Sequence, residues 1–160
     1  HPAARPGPEP AGAGGVSAPA APRAAPPGGA YTPVLVHRGM AWVSAQLPRQ
    51  DGVVVGVGKV GVGIDLPAAR ELARLSAQQC LVALQETLGD LQRVEQVLQL
   101  TGYVAAAPGF LQLSQVVDGA SEWLLAQLGA RGRHARTTVG VAELPRGVAV
   151  EVALVVAVRE

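Results

Sequence analysis

The C-terminal part of the chain alternates between two kinds of position, which is the pattern of a β-strand. The even-numbered positions from 148 to 158 are all Val or Leu and form one large apolar face. The odd-numbered positions are mostly Ala, with the carboxylate of Glu151 among them. A second β-branched run covers 135–141, and the segment 143–147 between the two runs contains Pro and Gly. This pattern predicts two strands joined by a tight connection.

The rest of the chain from residue 31 alternates between strand and helix periodicity. For the longer helix, Asp65 is a good N-cap and Gly89 a good C′ residue. The predicted elements are strands at 34–37, 40–44 and within the glycine-rich 53–64, a helix at 66–88, a strand at 93–106, a helix at 110–128, and strands at 135–141 and 148–158. We therefore expect an α+β fold in which two helices pack on one face of a six-stranded mixed sheet.

The face of the last strand that carries Glu151 is too apolar to be ordinary wet surface. Ala149, Ala153 and Ala157 lie on it, and two helices can cover only one side of a sheet. We expect this face to be buried in a symmetric oligomer. A carboxylate buried there needs a partner, and Arg136 in the preceding strand is the nearest candidate.

Length, charge and cysteine content limit the classes of protein to which this chain can belong. The 160 residues, 49% of them hydrophobic, are enough for one domain with a real core. A net charge of +1 gives no electrostatic reason to expect nucleic acid or an anionic membrane as partner. A single cysteine fits a reducing compartment, and no apolar run approaches the roughly 20 residues that span a bilayer. We expect a soluble, cytoplasmic protein.

Residues 1–30 are almost entirely Ala, Pro and Gly and show no apolar periodicity. Such a segment buries too little surface to offset the entropy of ordering, so we interpret it as a flexible arm before a single domain at 31–160. Two alternatives are a transit peptide and an arm that lies along a neighbouring subunit.

Several motifs, in this order, resemble the signature of the RidA-like reactive-intermediate deaminases, long known as endoribonuclease L-PSP. They are Val43-Ser44-Ala45-Gln46-Leu47-Pro48, Asp118-Gly119-Ala120, Ala135-Arg136-Thr137-Thr138-Val139, Leu144-Pro145 and Val150-Glu151-Val152. The resemblance implies an α+β subunit in a homotrimer with sites in the clefts between subunits. It also implies hydrolysis of enamine and imine intermediates, such as 2-aminoacrylate, to 2-oxo acids and ammonia.

The resemblance also implies roles for single residues. Arg136 would bind the carboxylate of a 2-imino acid, and Glu151 would activate water and carry a proton. Further substrate-binding positions would be Tyr31, Ser44, Asp118 and Thr138. Three alternatives stay open: a structural ion pair of Arg136 with Glu151, a Tyr31 that only caps the core edge, and a non-catalytic or regulatory trimer that clamps a carboxylate with Arg136.

This chain departs from the family pattern at three of its motif positions. Thr138 replaces a frequent cysteine, and Ala45 adds a methyl group where glycine is usual. Asp118 replaces the commoner asparagine, which places a second carboxylate where it opposes an anionic substrate. These differences bear on substrate range more than on fold.

Other chemistry finds little support in the sequence. The segment 56–61 matches GxGxxG, but no helix can begin before residue 65, so a glycine-rich strand fits better than a dinucleotide loop. Cys80 lies on the apolar stripe of a helix and is interpreted as a buried, inert thiol. His1, His37 and His134 are scattered, so we expect neither a metal site nor a cofactor.

Overall fold

The computed structural model describes residues 23–160; the predicted arm up to residue 22 lies outside the described residues. The described part forms nine strands and two α-helices, in the order β1 (Val34–His37), β2 (Met40–Gln46), β3 (Arg49–Gln50), β4 (Val53–Val54), β5 (Lys59–Val60), β6 (Gly63–Ile64), α1 (Leu66–Leu88), β7 (Val94–Ala105), α2 (Leu113–Leu128), β8 (Ala135–Val141) and β9 (Val150–Val158).

Local signals set the ends of α1, as predicted. The Asp65 carboxylate accepts a hydrogen bond of 2.9 Å from the Ala68 amide, which satisfies one of the free donors of the first turn. Gly89 ends the helix in the left-handed region, with φ 83°. The second helix begins at Leu113, three residues later than predicted.

The main sheet joins five strands in the order β1-β2-β9-β7-β8. The β7–β8 pair is parallel and the other pairs are antiparallel, so the sheet is mixed. Both helices pack on the face that carries the even-numbered residues of β9, and Leu84, Leu100, Leu124 and Leu154 are nearly inaccessible in this layer. The α+β prediction with two helices on one face of a mixed sheet is confirmed.

The prediction of six strands in this sheet is wrong. The glycine-rich segment instead contributes to two short ladders, β3–β4 and β5–β6, outside the main sheet. Gly56 has a positive φ of 80°, and a Cβ built there would lie 2.4 Å from a Leu72 methyl carbon. The segment therefore turns over α1 at a distance that only glycine permits, rather than extending beside another strand. As expected, the GxGxxG match opens no helix.

The two helices approach each other closely at Gly119. A Cβ built on this glycine would lie 2.1 Å from the Arg70 carbonyl oxygen of α1. Arg70 also donates a 2.6 Å hydrogen bond to Glu122, one turn further along α2. A backbone-to-backbone contact therefore holds α2 in place against α1 and the sheet.

The other face of the sheet, which we call the open face, is not covered by any helix of the described chain. Leu35 and Trp42, cross-strand partners on this face, are 57% and 42% exposed. Ala153 and Val155 of β9 lie beside them and are half-buried. Ala149 was expected here, but it is fully buried in the core, where its backbone bonds to Gly56 and Ala105 before β9 begins.

Residues 23–30, the described end of the predicted arm, form no helix or strand. The Ala24 amide donates a 2.7 Å hydrogen bond to the Glu86 carboxylate of α1. Neither α1 nor α2 is long and apolar enough to cross a membrane, and residues 23–160 contain no other candidate.

Candidate functional site

Glu151 lies near the start of β9 on the open face, opposite Tyr103 of β7. Its side chain borders a cavity of about 740 Å³, which we call the glutamate groove. The groove is lined by the described end of the arm, by the end of β2 and by the connection before β9, and its polar side chains are Tyr31, Ser44, Gln46, Arg49, Arg146 and Glu151. Three predicted site residues, Glu151, Tyr31 and Ser44, therefore lie together.

A β-bulge places Ser44 at the groove. The pairing of β2 with β9 slips between Val43 and Gln46, so the chain between them leaves the regular ladder. The Ser44 hydroxyl donates to the Thr32 carbonyl at 2.8 Å, and its amide donates to the Pro33 carbonyl at 2.9 Å. These bonds fix the segment that carries Tyr31 against the end of β2.

The Glu151 side chain is largely buried, and its carboxyl group, which borders the groove, has no charged or hydrogen-bonding partner among the described residues. The residue is only 7% exposed, and burial raises the pKa of this carboxyl above its ordinary value. Desolvation penalises the ionised form and leaves a proton available at higher pH than in water. A carboxyl of this kind suits a group that alternately donates and accepts a proton.

Arg146 is a groove residue that sequence reasoning missed. It follows Pro145 in a turn and has φ 60° and ψ 15°, a left-handed conformation unusual for a residue other than glycine. This strained turn holds an exposed cation in the same groove as Glu151. The only sequence signal was the Pro-Arg-Gly turn itself.

Arg136 lies elsewhere, in a second set of residues that we call the arginine cluster: Arg136, Asp118, Ser114 and Ser121. Its Nη1 donates to Asp118 Oδ1 at 2.7 Å and to Ser121 Oγ at 3.2 Å. Its Nη2 donates to Ser114 Oγ at 2.6 Å and to the Ser114 carbonyl at 3.2 Å. The cluster joins the edge strand β8 to one face of α2, because positions 114, 118 and 121 have helical spacing.

His134 orients Ser121 within this region. Its Nδ1 lies 2.6 Å from the Gly132 carbonyl and its Nε2 lies 2.8 Å from Ser121 Oγ. Because a carbonyl only accepts, Nδ1 carries a proton, and in the neutral imidazole Nε2 then accepts from the serine hydroxyl. The serine is then free to accept from Arg136. The sequence analysis considered His134 only as a possible metal ligand and did not consider Ser121. The helical spacing of Ser121 from Asp118 was the available signal.

Thr138 lies on the same face of β8 as Arg136, and its register partner on β7 is Gly102. Its Oγ1 is buried and has no hydrogen-bond partner among the described residues. A buried hydroxyl without a partner is rare in native proteins and often marks a place that a water or ligand fills. Thr138 therefore belongs with Arg136 and Asp118 rather than with Glu151.

The six predicted site residues thus form two groups on opposite faces of the sheet. Arg136 aligns with Leu100 and Leu154 on the helix side, whereas Glu151 lies three residues before Leu154 and faces the other way. From strand geometry the two Cα atoms are about 14 Å apart within one chain. The expectation that Arg136 is the nearby partner of Glu151 is wrong within one subunit, because β7 lies between their strands and Arg136 pairs with Asp118 instead.

Two other kinds of site considered in the sequence analysis are a reactive cysteine and a metal site. Cys80 is fully buried and its thiol lies 3.3 Å from the Val152 carbonyl, and burial raises its pKa strongly, so it is the inert thiol expected. Within residues 23–160, no group of three or more His, Cys, Asp or Glu side chains is placed to hold a metal ion.

Comparisons with known proteins agree with this fold. Residues 13–157 match the family described as "YjgF/chorismate_mutase-like, putative endoribonuclease". Protein TCP17 of Trypanosoma cruzi is 39% identical over 132 residues, 82% of each chain. The crystal structure of Atu1372 from Agrobacterium tumefaciens, a protein of unknown function, superposes with a TM-score of 0.81 at 36% identity, covering 84% of this chain and 86% of that one. The YjgF gene product of Escherichia coli gives a TM-score of 0.62 at 25% identity, covering 86% and 94%.

The chain belongs to the YjgF/chorismate mutase-like family, and its resemblance to the RidA-like proteins is confirmed. The names of its relatives do not agree on one activity, since they include a protein of unknown function.

Proposed function

We propose that this protein hydrolyses reactive imines and enamines of 2-oxo acids, such as 2-aminoacrylate, releasing ammonia. The observation that carries the proposal is the buried Glu151 carboxyl, which has a raised pKa and borders a groove large enough for a small ligand. The resemblance of its motifs to those of the RidA-like deaminases, in a chain that belongs to the YjgF/chorismate mutase-like family, supports the same reaction class.

The chemistry requires one group that moves protons. For 2-aminoacrylate, a protonated Glu151 delivers a proton to the terminal carbon of the enamine and produces an iminium ion. The resulting carboxylate then takes a proton from water as the water oxygen bonds to the iminium carbon. In the resulting carbinolamine, Glu151 gives this proton to the amino nitrogen and takes the proton of the hydroxyl group. The C–N bond breaks, so ammonia leaves, the carbonyl of pyruvate forms, and Glu151 is protonated again. Burial raises the pKa of Glu151, which extends to higher pH the range in which the carboxyl still holds the proton that it must deliver.

Arg136 is the proposed clamp for the substrate carboxylate, and this role requires a second subunit. Within one chain Arg136 and Glu151 face opposite sides of the sheet, so a single chain does not bring both to one small ligand. β8 is an edge strand, and the open face carries exposed apolar side chains. If the β8 edge of one copy covers the open face of the next, the arginine cluster approaches the neighbour's glutamate groove.

An edge that contacts a different surface on its neighbour is a heterologous contact, and such contacts form a ring when the rotation between neighbouring subunits closes. The proposed assembly is the homotrimer that the family resemblance implies. In it each site combines Glu151, Tyr31 and Ser44 of one subunit with Arg136, Asp118 and Thr138 of another. The lone buried cysteine fits the reducing conditions of the cytoplasm, where we place this activity.

The experiment is ammonia release from freshly generated 2-aminoacrylate, with the wild type, Glu151→Gln and Arg136→Lys compared. Loss of a general acid–base group lowers turnover by about 10²- to 10⁴-fold, so Glu151→Gln should lose most activity yet bind pyruvate normally. Arg136→Lys loses the planar fork, and kcat/KM should fall about 10- to 100-fold.

Glu95→Gln, the same chemical change at an exposed strand position, is the matched control and should keep full activity. Activity of Glu151→Gln equal to wild type would refute the proposed role of Glu151. A wild type that binds pyruvate through Arg136 but never accelerates ammonia release would favour the alternative of a non-catalytic binding protein.

A further inference from the structure

The guanidinium of Arg136 is already occupied by groups of its own chain. Each Nη carries two N–H donors, and the four bonds to Asp118, Ser121 and Ser114 use all of them. Only the Nε–H has no partner among the described residues. Arg136 is therefore not a vacant clamp.

A ligand carboxylate binds guanidinium best through two parallel N–H donors. Any two neighbouring N–H groups of Arg136 that could bind a carboxylate include at least one Nη–H group. Each Nη–H group already donates to Asp118, Ser121 or Ser114. Of these acceptors only Asp118 is charged, and its side chain is 40% exposed, so it can rotate into solvent when displaced. The Arg136 side chain is more buried, at 20% exposed, and its bonds to Ser121 and Ser114 do not depend on Asp118.

We propose that Asp118 is an internal competitor for Arg136, so that it limits how tightly the site holds the carboxylate of its ligand. This inference rests on the proposed function, because it takes Arg136 as the carboxylate clamp. It makes Asp118 a specificity-determining residue: a ligand with a carboxylate must displace it, whereas a neutral ligand has no such requirement.

A purely structural role for Asp118 is the opposing explanation, since the ion pair also joins α2 to β8. The structure provides that connection twice more, through Ser114 and through Ser121 held by His134. Asparagine at position 118 keeps the shape and an acceptor oxygen but removes the charge. Asp118→Asn therefore separates competition from attachment.

The test is a calorimetric titration of the full chain with pyruvate and with pyruvamide, its uncharged analogue. In Asp118→Asn the Kd for pyruvate should fall about threefold to tenfold. This is the range expected when a ligand no longer has to displace a charged, partly exposed hydrogen-bond acceptor from Arg136. The Kd for pyruvamide should change less than about twofold, because that ligand carries no charge for Asp118 to oppose.

Glu122→Gln is the matched control. It removes the same charge one turn along α2, from a carboxylate that bonds to Arg70 instead. Its pyruvate affinity should stay within about twofold of the wild type. Asp118→Ser, too short to reach Arg136, gives a second readout if the asparagine variant folds poorly.

The inference is overturned if Asp118→Asn binds pyruvate no better than the wild type, if pyruvamide gains equally, or if neither protein binds pyruvate. These outcomes differ from failure of the proposed function. If the wild type has no deaminase activity, Asp118→Asn can still bind pyruvate more tightly than the wild type does. If the wild type is active, Asp118→Asn can still fail to bind pyruvate more tightly.

Discussion

Replacing the Glu151 carboxyl by an amide should make the folded protein more stable at neutral pH while it removes activity. Glu151 is 7% exposed and burial is the cause of its raised pKa. The native state therefore carries the free-energy penalty of an ionised carboxylate that has left water. The amide side chain of the Glu151→Gln variant has nearly the same shape and no charge to desolvate.

The magnitude follows from this burial. Burying a polar group without a compensating hydrogen bond costs about 1–3 kcal/mol by mutational measurements. Because the amide of Glu151→Gln is also polar, we expect it to recover about 1 kcal/mol of this penalty. For a chain of this size, that corresponds to a rise in Tm of about 2–4 °C.

The assay is thermal unfolding followed from pH 4 to pH 8. Below the ordinary carboxyl pKa of 4.5, Glu151 is protonated in both the folded and unfolded states and contributes no penalty. As the pH rises through the higher folded-state pKa, the wild type loses stability relative to Glu151→Gln. The difference in Tm should thus be near zero at pH 4 and grow towards pH 8.

Glu95→Gln is again the control, and at its exposed position the Tm should change by less than about 1 °C. The opposite result for Glu151→Gln, a lower Tm at pH 7 that recovers at pH 4, would refute this reasoning. It would show that the carboxylate forms a stabilising ion pair in the assembled protein, which is the structural alternative weighed on the sequence.

Two further predictions concern packing and assembly. Gly119→Ala should destabilise the protein by about 1–3 kcal/mol, because the added methyl group would meet the Arg70 carbonyl. Gly28→Ala is the control and should leave the stability unchanged, because nothing lies within 4 Å of a Cβ at that position. Urea unfolding measures the free energy of unfolding of both variants. Ala153→Arg places a charge on the open face, so the mass measured by light scattering should fall below that of the proposed trimer. Ala126→Arg, on an exposed part of α2, is the control and should leave the mass unchanged. A wild type that is monomeric in this measurement would contradict the proposed assembly.

Local signals were enough to predict the helices and most of the strands. The Asp65 cap and Gly89 set the ends of α1 through contacts within a few residues, so the sequence alone contained that information. Strict alternation likewise placed Glu151 on the face opposite the apolar side chains of β9. Each of these inferences depends only on neighbours along the chain.

The face on which Arg136 lies was not predictable in this way. The large apolar residues of β8 are Val139 and Val141, and a usual pattern would turn them towards the helices. The parallel register with β7 instead turns Arg136, Thr138 and Gly140 towards α2. Gly140 permits this, because a Cβ there would lie only 3.1 Å from a Leu113 methyl carbon.

The sequence by itself therefore determined which segments are helix or strand and which residues are candidates for the site, because capping, alternation and motif spacing are local. Only the tertiary structure decided that these residues form two groups, that Asp118 occupies Arg136, and that the glycine-rich segment leaves the main sheet. Strand order, register and close backbone approach arise from contacts between residues distant in the chain, and no local pattern encodes them.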